Sequence, residues 1–194
     1  CSDILMVHII DENVFDSKAE CIINTVNCVG FMGKGLAFEF ALRYPELEQK
    51  YKEQCKKHYI HTGTLYFYEI NGQKIINFPT KFHFKYPSKM EWIEQGLDYF
   101  AINYKRWNVK SVAFPLLGAR NGGLNPDEVI CLMKEKLENE KNNFKIFKEN
   151  KMKETEELKN EISKNIREIS TLNKKIESSG KLLNDLKQTN FIIQ

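Results

Sequence analysis

The sequence predicts an α/β fold of three layers, α/β/α, around a mixed central sheet, followed by one long C-terminal helix with coiled-coil patterning. Three observations carry this. Short apolar runs alternate with segments whose apolar residues recur every three or four positions, the rhythm of buried strands and amphipathic helices in turn. Two glycine-rich stretches, 30–35 and 118–123, each follow an apolar run and lead into a helical one, so both loops should meet at one end of the sheet. Beyond residue 147 seven apolar residues fall on one seven-residue repeat. The expected division is therefore a domain over 1–147 and a helical tail over 148–194.

Taken in order, residues 4–10 are nearly continuous apolar sequence bounded by Asp11-Glu12-Asn13, which suits a first strand buried on both faces. Cys21-Ile22-Ile23 is the second such run. Leu36, Ala37, Phe40 and Ala41 then repeat at helical spacing until Tyr44-Pro45 stops the helix, and 46–58 reads as a second, more polar helix, both expected to face away from the ligand. Residues 64–70 and 74–78 read as two strands joined by a tight Asn71-Gly72 turn. The second of them runs into Pro79-Thr80-Lys81, so Lys81 stands at a strand's carboxyl end, where open α/β sheets bind ligands. Ser88-Lys89-Met90-Glu91 reads as a capping box opening a helix with Ile93, Leu97, Phe100 and Tyr104 on one face. Residues 111–114 form the next strand. Asn125-Pro126-Asp127-Glu128 signals a helix start, with an N-cap Asn, Pro at the first helical position and two acids in the first turn, and Val129, Met133 and Leu137 continue it. Residues 144–147 would be a last strand.

Composition narrows the function. A chain of 194 residues with 42% hydrophobic content can bury one substantial core and carry an appendage. No apolar run approaches the ~20 residues of a membrane span and residues 1–4 lack a basic leader, so the expectation is a cytoplasmic protein without membrane contact. The cysteines at 1, 21, 28, 55 and 131 are odd in number, with no C-x-x-C pair and no His at finger spacing. Neither a disulfide framework nor a metal site is indicated, and no cofactor is called for. Basic and acidic residues number 19 and 18 through residue 147, and 10 and 8 beyond it. That balance excludes duplex binding driven by many phosphate contacts and leaves room for a local patch gripping one or two phosphates.

The stretch Asn24-Thr25-Val26-Asn27-Cys28-Val29-Gly30-Phe31-Met32-Gly33-Lys34-Gly35 is where chemistry concentrates. A strand that breaks into spaced glycines and resumes as a helix brings backbone amides and a helix N-terminus to one point, an anion-binding arrangement. Asn24 and Asn27 supply amides able to bond sugar hydroxyls. The spacing fits neither G-x-G-x-x-G nor G-x-x-x-x-G-K-[ST]. Lys81-Phe82-His83-Phe84-Lys85-Tyr86 interleaves cations with aromatic rings, which suits stacking on a base while holding its phosphate, or a loop that merely covers the core.

These motifs, together with Ile76-Asn77-Phe78-Pro79-Thr80-Lys81, Pro115-Leu116-Leu117-Gly118 and Asn121-Gly122-Gly123-Leu124, resemble the macrodomain family, nearest its DarG-type branch of DNA ADP-ribosyl glycohydrolases, over about 4–147. The resemblance implies ADP-ribose as ligand. Asn13 would meet the adenine end, Gly118, Asn121, Gly122 and Gly123 would wrap the diphosphate with Gly33 and Gly35 opposite, and Asn27 and Lys81 would face the distal ribose. In that branch the lysine of the Asn-Phe-Pro-Thr-Lys motif is associated with removing ADP-ribose from thymidine in DNA, or in relatives from protein glutamate. Lys81 is thus the catalytic candidate, as a neutral amine attacking the sugar or as a cation neutralising the diphosphate. Where the family often has an Asp after the second glycine loop, this chain has Asn125, which cannot exchange a proton and suits a helix cap. Three functions share the cleft: a glycohydrolase that needs Lys81, an ADP-ribose reader that needs only the loops, and a hydrolase of ADP-ribose derivatives. The expected partners are ADP-ribose or a macromolecule carrying it, with single-stranded DNA the candidate carrier, in a setting of the toxin–antitoxin kind.

In the tail, Leu158, Ile162, Ile169, Leu172, Ile176, Leu183 and Leu186 occupy a and d positions of one register, with Thr155, Asn165 and Ser179 completing it. A segment of about 57 Å, at ~1.5 Å per residue over 151–189, outreaches a single domain. It needs a partner helix, most simply in a homodimer, or else stands as a solvated helix weakened by Gly180.

Overall fold

The computed structural model describes residues 8–10, 13–138, 143–147 and 152–192. Six strands form one sheet: β1 (His8–Ile10), β2 (Cys21–Asn27), β3 (Tyr66–Ile70), β4 (Gln73–Lys81), β5 (Ser111–Pro115) and β6 (Asn143–Phe147), in the order β1-β6-β5-β2-β4-β3. Every neighbouring pair is parallel except β3–β4, a hairpin closed by Asn71 and Gly72, both with φ between 50° and 80°. The sheet is therefore mixed. Of the predicted first strand, residues 4–7 lie outside the described residues.

Alternation along the central strands sorts side chains to two faces. Ile23, Ile76, Phe78, Val112 and Phe114 pack on one side against Ile93, Leu97, Phe100 and Tyr104 of α3 (Met90–Asn103) and its C-cap, and Val129, Met133 and Leu137 of α4 (Pro126–Glu138). Ile22, Ile75 and Ala113 pack on the other with Val14, with Phe40 of α1 (Gly35–Arg43) and with Leu47 of α2 (Pro45–Lys56). Burying each aliphatic or aromatic side chain of this size contributes about 1.5–3 kcal/mol. A third cluster, Val26, Met32, Ala37, Tyr51, Cys55 and Ile60, lies beneath the first glycine loop. Cys28 packs against it, and burial pushes its thiol up to about 11, so it is a packing residue and not a thiolate.

Two local expectations are corrected. The Ser88 capping box does not form: Lys89 is the N-cap of α3, without a side-chain bond, and the Ser88 N–H instead donates to the Gly122 carbonyl at 2.8 Å. A long-range backbone bond between two loops outcompetes the local motif. Nor does α2 face wholly away from the glycine loop, since the Tyr51 hydroxyl reaches Asn27 from it.

The chain divides into two compact units, 1–151 and 152–194. The second is a single helix, α5 (Met152–Ile192), 41 residues long and so about 60 Å at ~1.5 Å per residue. Within it Ile166, Ile169, Leu172 and Ile176 are 57–68% exposed. Among the described residues no helix is long and apolar enough to cross a membrane.

Candidate functional site

β2 and β4 end side by side. Their parallel register runs Val26↔Pro79 and then Asn27↔Lys81, so one residue, Thr80, is skipped at a bulge. Regular pairing would have set Thr80 against Asn27; the irregularity brings Lys81 there instead. The Cys28 N–H continues the pairing to the Phe82 carbonyl at 3.2 Å.

Asn27 organises the loop that follows it. Its side-chain carbonyl accepts from the Val29 N–H at 3.0 Å and the Phe31 N–H at 3.3 Å, while its Nδ2 donates to the Phe31 carbonyl at 2.7 Å. The Tyr51 hydroxyl lies 2.7 Å from the Asn27 backbone carbonyl and 3.0 Å from Oδ1. Asn27 is buried, and its side-chain amide is engaged with its own loop. Asn24, also expected to offer its amide, is fully buried mid-strand and donates to Asn77 Oδ1 at 2.9 Å, its register partner on β4. Sequence alone missed Tyr51, which sits in a helix of polar appearance; its spacing from Leu47 and Cys55 is the signal that marks it as inward-facing.

The second loop, 116–125, is built by backbone. The Leu124 N–H donates to the Gly118 carbonyl at 3.1 Å and the Gly123 N–H to the Arg120 carbonyl at 3.2 Å. Gly122 is buried so tightly that an added Cβ would collide with the Gly118 carbonyl and with Ser88 Oγ. Gly123, at φ +77°, is exposed, with nothing within 4 Å of where a Cβ would stand. Asn125 Oδ1 accepts from the Asp127 N–H at 2.9 Å, the cap expected of it.

The loops meet. A Cβ added to Gly35, at φ +56°, would stand 2.9 Å from Asn121 Nδ2, so the start of α1 and the exposed tip of the second loop abut. Lys34 is the N-cap of α1 and makes no side-chain cap hydrogen bond. Gly33 stands partly exposed between them, under the Phe31 ring. Asn13 caps a short 3-10 turn, Val14–Asp16, through Oδ1; its buried Nδ2 has no hydrogen-bond partner among the described residues. Lys81 is half-buried, with Nζ 3.3 Å from the Phe84 carbonyl, and desolvation holds its pKa below the ordinary lysine value, favouring the neutral amine. Around it Phe31, His83, Phe84 and Tyr86 make ring contacts with one another. Among the described residues no cluster of three or more His, Cys, Asp or Glu could hold a metal.

Glycine loops thus follow the adjacent parallel strands β5 and β2, and the next strand, β4, ends in an amine; the Macro domain model matches residues 23–133 of this chain. The chain belongs to the macrodomain family. The solved macrodomain of Mycobacterium tuberculosis DarG superposes with a TM-score of 0.72 at 33% identity, covering 75% of this chain and 99% of that one. Thermosipho africanus DarTG in complex with ADP-ribose superposes at 0.68 with 32% identity, over 74% of this chain and 42% of that one. Among curated relatives, the DNA ADP-ribosyl glycohydrolase of Thermus aquaticus is 37% identical over 137 residues, 69% of this chain. This macrodomain spans 38% of that relative's length.

Proposed function

We propose that this macrodomain binds ADP-ribose between its two glycine loops and removes it from thymidine in DNA, with Lys81 as nucleophile. The observation that carries the reading is Lys81: a half-buried amine, shifted toward neutrality by desolvation, at the end of β4 opposite Asn27. Relatives named DNA ADP-ribosyl glycohydrolase, at 37% and 44% identity, supply the reaction class. The Lys81 nitrogen lone pair bonds to C1'' of the distal ribose as the bond to the base breaks; the base keeps that electron pair and takes up the proton that the attacking nitrogen loses. Water then attacks the same carbon as the bond from C1'' to the lysine nitrogen breaks, and the proton that the water loses passes to that nitrogen, releasing ADP-ribose and restoring the amine. Asn13 is assigned to the adenine end through its unpartnered Nδ2, and Gly33, Gly35, Gly118, Asn121, Gly122 and Gly123 to the diphosphate, Gly122 through the loop shape it permits.

The test incubates thymidine-modified single-stranded DNA and glutamate-modified protein with wild type and Lys81→Ala. Release from the DNA by wild type, lost by at least a thousand-fold in Lys81→Ala with ADP-ribose binding retained, is the expected result. The rate should rise with pH to a midpoint below the usual lysine range of about 10.4, because the neutral amine attacks and burial lowers its pKa. Binding without release from either substrate would make the protein a reader.

The tail is assigned to self-association. Its a positions read Thr155, Ile162, Ile169, Ile176 and Leu183 and its d positions Leu158, Asn165, Leu172, Ser179 and Leu186. Isoleucine at a with leucine at d favours a parallel two-stranded coil, and Asn165 fixes its register. Light scattering on the full chain should report a dimer; a monomer at high micromolar concentration would refute it.

A further inference from the structure

The first unit's exposed large hydrophobic residues are not scattered. Among the described residues of this unit there are seven, and Val29, Phe31, Phe82, Phe84 and Tyr86 lie in the segments that follow the paired ends of β2 and β4, with Tyr59 and Ile102 elsewhere. Phe31, Phe84, His83 and Tyr86 form a continuous run of rings with successive centroid separations of 4.8, 4.3 and 5.5 Å. Phe82 and Tyr86 are the barest of these aromatics, 61% and 63% exposed. An apolar surface of this kind on a folded domain marks an interaction site.

Charge identifies its occupant. The two segments that bear these residues, 27–35 and 81–90, carry Lys34, Lys81, Lys85 and Lys89 and not one Asp or Glu, the acids of this end standing beyond them at Glu91 and at Asp127 and Glu128 in the first turns of α3 and α4. Lys85 Nζ stands 5.9 Å from the centroid of the Phe84 ring, so a cation borders the aromatic run. Cations that alternate with rings along 81–86, with no acid within that run, fit a single strand of nucleic acid whose bases stack while its phosphates are neutralised. An intact duplex hides its base faces and cannot use such rings.

Resting on the glycohydrolase reading above, the geometry points to a strand-holding platform: Phe82 and Tyr86 stack on bases flanking the modified nucleotide of single-stranded DNA, with Lys85 on the intervening phosphate. The platform would present the modified thymidine to Lys81 and make the enzyme prefer a strand over an isolated nucleoside.

Fluorescence anisotropy with an unmodified 20-nucleotide dT strand, its duplex, and the Phe82→Ala/Tyr86→Ala variant tests this without any turnover. Both rings are surface groups, so the variant should fold, and unchanged ADP-ribose affinity by calorimetry checks that it does. The expected result is salt-sensitive binding of the single strand, at least ten-fold weaker for the duplex and for the variant. On modified substrates, KM for a 20-nucleotide strand should rise about ten-fold in the variant, with KM for ADP-ribosylated thymidine nucleoside unchanged. Equal binding of the unmodified strand by wild type and variant would overturn the platform, even if release proceeds. Failure of wild type to release ADP-ribose would instead overturn the glycohydrolase reading, and the unmodified strand would still decide the platform.

Discussion

The two glycine loops do similar work by opposite means. The first, after β2, is shaped by a side chain that is present: Asn27 ties down the amides of Val29 and Phe31 and the carbonyl of Phe31, and Tyr51 braces it from α2. The second, after β5, is shaped by side chains that are missing, above all at Gly122, where backbone, Ser88 and Gly118 close into one space. A loop of the first kind fails when atoms are removed and one of the second kind when atoms are added.

Substitutions at four positions separate these cases. Gly123→Glu should have the largest effect, a loss of ADP-ribose binding beyond 100-fold by calorimetry. Its side chain enters open space, so stability should fall only by the cost of a left-handed non-glycine residue, about 1–2 kcal/mol. Unchanged affinity would remove the second loop from the ligand site. Asn27→Ala should follow, costing about 2–4 kcal/mol in chemical denaturation because two loop N–H groups lose their acceptor. Gly122→Ala should cost about 1–3 kcal/mol by overpacking against the Gly118 carbonyl, and a neutral result would show that the second loop yields more readily than its packing implies. Asn125→Ala, at the loop's exit into α4, should be mildest at about 0.5–2 kcal/mol, with Asn125→Asp near neutral because a carboxylate also caps. Activity lost in Asn125→Asp at full stability would show that the amide itself meets substrate.

The sheet, both loops, Lys81 at a strand end and the Asn125 cap were legible because each rests on local rules: apolar alternation, glycine punctuation, a proline after an N-cap. What escaped was decided across long sequence separations. Asn24 pairs with Asn77 at the same level of neighbouring strands, and nothing near Asn24 announces that its amide is consumed inside the sheet. Ser88 carries every local mark of a capping box, yet its N–H belongs to Gly122, 34 residues away. Tyr51 shows only the inward spacing of a helix face; that its hydroxyl would brace Asn27 depended on how α2 lies against the end of β2. The macrodomain resemblance supplied the ligand class, while the inward engagement of Asn27 depended on tertiary contacts.

The skipped Thr80 has a consequence for engineering. Thr80 is the residue the register passes over, so it adds length to β4 while Lys81 still pairs with Asn27. Deleting Thr80 would let the lysine follow Pro79 directly and pair with Asn27 in regular register, on the same side of the sheet. The extra residue therefore sets the local twist from which the amine is aimed and not its face, and a scaffold shortened by that residue would keep its lysine at the same address.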